Sequence, residues 1–252
     1  MTRPEARNAL DLDLRADLAE LVAEVRANDD IKALIITGSG GVFCAGGDTK
    51  AMAQGLGPGH AIRRRVLSVH AWLEDLYNLD CPVIAAVDGP AYGGGLSLAL
   101  VADFVLATPR ARFCAVFGRI GLAPDMAMVY TLPRMVGVQR AKELMYTARS
   151  FDGAEAREMG IVLAVHPEDE LAAAARALAG RLARGSRVAQ GATKALVNQS
   201  LHNDYRTMAE MEAAVQATCF DSDYHRQAIA RFGAKEPSLY DWDRMIKEGE
   251  HE

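Results

Sequence analysis

The chain has 252 residues, 50% of them apolar and 24% charged, with a formal net charge of −5. A chain of this length buries roughly 70–75% of the surface its unfolded form exposes, so it can build a full core without disulfides or metals. Its 28 basic residues are scattered, with Arg63-Arg64-Arg65 the only run, which argues against a nucleic-acid footprint. Leu10, Leu14, Leu18, Leu21, Val22 and Val25 recur at helical spacing and predict a helix over 10–27. Ile31 to Thr37 is a continuous apolar run ending at Gly38-Ser39-Gly40-Gly41, which reads as a buried parallel strand and a turn. Val42 to Ala45 is short and apolar and is broken by Gly46-Gly47. A Gly/Pro-rich loop at 55–59 precedes a helix over 61–79 with the apolar face Ile62, Val66, Val69, Leu73 and Leu76.

Pro82 opens the strand Val83 to Val87, and Asp88-Gly89-Pro90 turns the chain. Gly93-Gly94-Gly95 leads into a short apolar helix at 96–101. Phe104 to Ala107 and Arg112 to Val116 read as strands. Helices are expected at 138–147, 153–159, 168–184, 187–200 and 204–232, with Ile161 to Val165 extended. The order gives an α/β core followed by a helical C-terminal part, divided here as 1–185 and 186–252. The stretch 238–252 is expected either to dock on a neighbour or to be disordered. Cys44, Cys81, Cys114 and Cys219 show no metal spacing and read as reduced, mostly buried thiols. The longest apolar stretch, Leu96 to Ala107, is interrupted by Asp103 and is too short to span a bilayer. No charged-then-apolar leader is visible, so the expected location is cytoplasmic.

Two segments have the form strand, turn, glycines: Cys44-Ala45-Gly46-Gly47-Asp48 and Ala91-Tyr92-Gly93-Gly94-Gly95-Leu96. Glycine lets backbone approach a ligand closely, and a helix that starts just after presents unpaired N–H groups. Two such loops meeting in space would aim two donors at one point, which is how an oxyanion hole is built. Taken singly, each loop is equally a structural turn. A dinucleotide fingerprint fails because Phe43 stands where its last glycine is needed, and no Lys-Ser/Thr pair follows the glycines to make a P-loop.

Together these segments resemble the crotonase superfamily, the enoyl-CoA hydratase/isomerase family. Arg3-Pro4-Glu5-Ala6-Arg7-Asn8-Ala9-Leu10 is similar to its N-terminal signature, and Phe43 to Asp48 to its first oxyanion loop. Pro82 to Leu96 is similar to the second loop with its strand. Gly121 to Asp125, with Leu132-Pro133-Arg134, is similar to the active-site helix entry, and the likeness runs to about residue 237. Family members carry an N-terminal hairpin before the signature, so an edge strand is expected to be missing or replaced here, and the start reads as truncated or misassigned. The resemblance implies a spiral of β-β-α units with a C-terminal helical trimerisation region, as a homotrimer or dimer of trimers. It implies an acyl-CoA thioester substrate and no separate cofactor. The N–H groups of Gly47 and Gly94 would hold the thioester oxygen. Glu5, Ala6, Arg7, Ala45 and Asp48 would line the adenine pocket, and Phe232 and Lys235 would contact coenzyme A, from this subunit or a neighbour. Lys235 alone is equally a solvated helix-end lysine.

The family's hydratases use two glutamates; the matching positions here are Ser97 and Phe117, so ordinary hydration is not expected, and Phe117 is assigned to the substrate pocket. Asp125 stands where the family's isomerases carry their single carboxylate, and the resemblance makes it the acid/base of a double-bond shift. A Pro-Asp pair at a helix start is also a capping pattern, so Asp125 as an N-cap is the competing reading. The 4-chlorobenzoyl-CoA dehalogenases carry a nucleophilic aspartate there and a histidine matching His70. They place tryptophans where Phe117 and Val69 stand, which weakens that match. A non-catalytic acyl-CoA-binding homologue is the third reading.

Overall fold

Apolar runs too short for helices and bounded by turn residues become buried strands in this chain. The computed structural model describes residues 1–48, 53 and 57–249. Helix α1 (Leu12–Ala27) leads to strand β1 (Leu34–Thr37) and then α2 (Gly59–Tyr77). Strands β2 (Val83–Val87) and β3 (Pro90–Tyr92) precede α3 (Gly94–Leu100). Strands β4 (Phe104–Ala107) and β5 (Arg112–Cys114) precede a 3-10 turn at Val116–Ile120, then α4 (Met128–Val136) and α5 (Val138–Thr147). After β6 (Ser150–Asp152), α6 (Gly153–Glu158) and β7 (Ala164–Val165), the rest is helical. These helices are α7 (Leu171–Ala183), α8 (Arg187–Gln199), α9 (Tyr205–Phe220), α10 (Asp223–Gly233) and α11 (Trp242–Gly249).

The strands form two sheets, one in the order β1-β2-β4-β7 with parallel neighbours, the other in the order β3-β5-β6. Isolated bridges, Cys44 to Ala91 and Leu10 to Gly47, carry ladder pairing beyond β3. Successive passes of the chain place one strand in each sheet before a helix, which is the expected β-β-α spiral. Strand β2 shows why its sequence is apolar throughout. Val83, Ala85 and Val87 enter the main core, while Ile84 and Ala86 pack on Leu171, Ala175 and Leu178 of α7. Both faces are covered, so no polar alternation is tolerated.

Several boundaries differ from expectation for physical reasons. Helix α1 starts at Leu12, not residue 10, because the Asp11 side chain accepts from the Leu14 N–H at 2.9 Å and caps it. Leu21 of α1 is exposed. The buried face of α2 is Val69, Trp72, Leu73 and Leu76, and Ile62 is exposed. Of the loop at 55–59, residues 55 and 56 lie outside the described residues. The single helix expected over 204–232 is two, because the Ser222 side chain accepts from the His225 N–H and starts α10 afresh. Within the stretch 238–252, α11 packs on its own chain as far as it is described. Met245 is buried and the Arg181 guanidinium of α7 lies 5.3 Å from the Trp242 ring centroid. Met1 lies along the end of β1, its amino group donating to the Thr37 carbonyl at 2.8 Å and its carbonyl accepting from Ser39. All four cysteines are free; Cys44, Cys81 and Cys114 are buried and Cys219 is half-buried. Among the described residues no helix is long and apolar enough to cross a membrane.

Candidate active site

The N-terminal signature props up the first glycine loop. Asn8 is fully buried, and its side-chain amide donates to the carbonyls of Ser39 and Val42 at 3.0 and 2.7 Å. The Leu10 N–H bonds to the Gly46 carbonyl at 2.8 Å, and the Ala45 N–H to the Arg7 carbonyl at 3.0 Å. The second loop packs directly on the first. The Tyr92 N–H bonds to the Cys44 carbonyl at 2.9 Å. A Cβ on Gly46, whose φ is +92°, would lie 2.6 Å from the Tyr92 carbonyl oxygen and 3.3 Å from the Gly94 amide nitrogen. The two loops therefore meet at backbone contact distance, and only glycine fits the junction. Gly94 is the first residue of α3, so its N–H has no acceptor inside the helix. Gly47 follows Gly46 at the same junction and, with Glu5, Ala6, Arg7, Ala45 and Asp48, lines a cavity of about 580 Å³. Beneath the first loop the Cys44 thiol accepts from the Gly46 N–H, and burial pushes it up to about 11.

Asp125 lines a separate cavity of about 520 Å³ with His70 of α2 and Tyr130 of α4. Its carboxyl does not cap α4, so the N-cap reading is overturned. The N-cap is Ala127, which makes no side-chain cap bond, and the Met128 N–H reaches the Asp125 main-chain carbonyl at 3.1 Å. Met126 and Ala127 follow with φ of 50° and 63°. Left-handed backbone costs about 1–2 kcal/mol at a non-glycine residue, and strain of this kind gathers at functional sites. Burial pushes the Asp125 carboxyl above its ordinary value, against the opposing pull of Arg15 and His70. The Met126 side chain reaches Gly94, its sulfur 2.9 Å from where a Cβ there would lie, so the Asp125 turn packs on the second loop. Ser97 is fully buried, and its hydroxyl lies 3.1 Å from the Asp125 carbonyl and 3.3 Å from the Gly93 carbonyl. It thereby ties the Asp125 turn to α3. Phe117 is buried against Gly93, its ring 3.8 Å from where a Cβ there would lie.

Phe232 and Lys235 do not join these residues. Both are exposed at the end of α10 and line neither cavity. Four contributors were not singled out by sequence reasoning: Arg15, Tyr77, Tyr130 and His202. Tyr77 had a readable signal, since Val66, His70, Leu73 and Tyr77 recur at helical spacing along α2 and all line the Asp125 cavity. Arg15 is half-buried, with Nε donating to the Leu10 carbonyl at 3.0 Å, and burial lowers its pKa. Nothing in its neighbourhood in the sequence marks it.

Two glycine loops packed on each other within a β-β-α spiral are what the resemblance to the crotonase superfamily implies, and comparison bears that resemblance out. The family model for enoyl-CoA hydratase/isomerase matches residues 1–242, and the chain belongs to that family of acyl-CoA enzymes. It is 35% identical over 238 residues to a probable enoyl-CoA hydratase of Rhodobacter capsulatus, covering 94% of this chain and 91% of the relative. It is 31% identical to 4-chlorobenzoyl coenzyme A dehalogenase-2 of an Arthrobacter species, covering 93% and 86%. It is 33% identical to 1,2-epoxyphenylacetyl-CoA isomerase of Escherichia coli, covering 93% and 90%. Among solved structures, an enoyl-CoA hydratase/isomerase from Cupriavidus metallidurans superposes with a TM-score of 0.90 at 42% identity, covering 95% of this chain and 90% of that one. The architecture is thus the crotonase fold.

Proposed function

We propose that the protein shifts a double bond within an acyl-CoA thioester, through an enolate held by the Gly47 and Gly94 amides, with Asp125 as the single acid/base. One observation carries this reading. Asp125 lines a cavity with its carboxyl shifted toward protonation, while Ser97 and Phe117 stand at the two positions matching the hydratase glutamates. Addition of water needs one group to deprotonate the water and another to manage the proton at carbon. A proton shift needs one: Asp125 takes a proton from one carbon and returns it at another. The electron pair released accumulates on the thioester oxygen, where two preorganised donors stabilise it more than they stabilise the ground-state carbonyl. The cavity lined by Glu5, Ala6, Arg7, Ala45 and Asp48 suits the nucleotide end of coenzyme A. In a homotrimer, or a dimer of trimers, Phe232 and Lys235 would reach coenzyme A from a neighbouring subunit.

A second reading has its own support. His70 lines the same cavity as Asp125, the pair that aryl-halide hydrolysis would use: aspartate attacks the ring, and histidine assists hydrolysis of the aryl ester. Phe117 and Val69, where the dehalogenases carry tryptophans, favour isomerisation. Incubation with 3-enoyl-CoA thioesters, followed by the ultraviolet absorbance of the conjugated product, tests the proposal. No absorbance change across alkyl and aryl variants would refute it, and chloride release from 4-chlorobenzoyl-CoA would replace it with the second reading.

A further inference from the structure

The Asp125 cavity runs along α2, where His70 and Tyr77 both line it. They are two helical turns apart, roughly 10.5 Å along the axis at 1.5 Å per residue. Asn198 of α8 closes the Tyr77 end. Its Nδ2 donates to the Tyr77 carbonyl at 3.2 Å and to Asn78 Oδ1 at 3.1 Å, which pins the side chain across the gap between α8 and the last turn of α2. A second cavity, of about 480 Å³, lies on the other side, and among the described residues Asn198 is the one that lines both. Pro82, Phe104, Leu182, Val197 and Tyr224 give this far cavity apolar walls. Its two charged residues are matched to each other: the Lys194 ammonium lies 2.6 Å from the Asp103 carboxylate and donates to the Cys81 carbonyl at 2.8 Å. Lys194 and Asn198 are one turn apart on α8, so one helix face walls the far cavity and bounds the near one.

We propose that Asn198 sets the length of the acyl group: the substrate is a medium-length acyl-CoA whose chain ends at this side chain, and the apolar cavity behind it takes a longer chain only when the side chain is cut back. The inference rests on the Asp125 cavity being the acyl site and names its substrate class. An extended chain advances about 1.2 Å per bond, so about eight or nine carbons reach from the level of His70 to Asn198. Each methylene buried along the way is worth about fourfold in affinity. A longer chain must push the Asn198 amide aside and break both of its hydrogen bonds, which costs about tenfold or more. That loss exceeds the gain from one further methylene, so affinity stops rising at the partition.

The test is titration calorimetry with saturated acyl-CoA thioesters from butanoyl to tetradecanoyl, which have no double bond to shift. With the unaltered protein, affinity is expected to rise about fourfold per methylene to about octanoyl or decanoyl and then to stop rising. In Asn198→Ala the rise should continue, so that dodecanoyl-CoA binds at least about tenfold tighter than to the unaltered protein. Asn198→Leu loses the same side-chain hydrogen bonds but keeps a wall, and should keep the limit. Adding Ala189→Phe to Asn198→Ala fills the far cavity and should restore the limit. Affinity that climbs through tetradecanoyl in the unaltered protein would overturn the proposal and leave the acyl site standing, and this reading needs no variant to fold. A limit unmoved by Asn198→Ala would overturn it too, as would an equal gain in Asn198→Leu or a gain that survives Ala189→Phe. If affinity does not change from butanoyl to hexanoyl, the Asp125 cavity is not the acyl site, and the proposed function loses its site as well.

Discussion

The junction of the two glycine loops can be tested at one atom. In Gly46→Ala the new methyl would sit 2.6 Å from the Tyr92 carbonyl oxygen, whereas ordinary van der Waals contact begins at 3.4 Å. The difference, 3.4 minus 2.6, requires a shift of about 0.8 Å, and both obstacles are backbone rather than flexible side chain. Tyr92 is held in register with Cys114, so most of the shift falls on the first loop and its Gly47 amide. The left-handed φ adds about 1–2 kcal/mol and the overpacking about 1–3 kcal/mol, so a stability loss of about 2–5 kcal/mol is expected. A misplacement near 1 Å at a catalytic donor is worth about 10²-fold in rate. Gly121→Ala is the control: φ there is +70° but nothing lies within 4 Å of the added methyl. It should lose only the 1–2 kcal/mol of backbone strain, roughly, and keep its activity. Urea denaturation and kcat/KM on a 3-enoyl-CoA measure both variants. If Gly46→Ala matched Gly121→Ala in stability and in rate, the two loops would not work as one unit.

Three further outcomes are expected. Asp125→Asn should lower kcat by at least ~10²-fold in steady-state assays, and activity of the unaltered protein should fall as acid protonates the carboxylate. The same variant should be more stable at neutral pH. Burial raises the Asp125 carboxyl above its ordinary value of 3.8, so the folded chain binds that proton more tightly than the unfolded one. Stability then declines as pH rises through the raised value, and the asparagine removes that decline; denaturation at pH 7 should show the gain and denaturation near pH 4 should not. Ser97→Ala should cost about 1–2 kcal/mol and lower kcat more than it changes KM, because the Asp125 turn loses its tie to α3 while the cavities keep their walls. Lys194→Met removes the ammonium that lies 2.6 Å from the part-exposed Asp103 carboxylate, for a loss of about 1–3 kcal/mol; adding Asp103→Asn should recover part of it in chemical denaturation.

The parts of this architecture legible in the sequence were those set by local composition. The apolar run Val83 to Val87, bounded by Pro82 and Asp88-Gly89, could only be a covered strand, and the two glycine clusters marked where backbone approaches backbone. What stayed hidden depends on direction or on contacts between distant segments. Ile62 and Val66 look like core on an ideal helical wheel, yet Ile62 is exposed and Val66 faces a cavity because α2 packs through Trp72 instead. The break at Ser222 hung on one hydroxyl, which in sequence is indistinguishable from a surface serine. The left-handed turn at Met126-Ala127 has no glycine or asparagine to announce it; tertiary packing against Gly94 holds residues there that would not choose that conformation. Tyr130 and His202 come from α4 and the turn after α8, and only folding brings them together.

The thiol under the first glycine loop offers a clock for that loop's opening. Cys44 is shielded from solvent and is protonated at any physiological pH, so alkylating reagents can reach it only when the peptide above swings away. In a chain whose other three cysteines are replaced by serine or alanine, the rate of iodoacetamide capture counts those excursions. An acyl thioester seated between the Gly47 and Gly94 amides would slow the count, which gives a measure of occupancy that does not depend on any turnover.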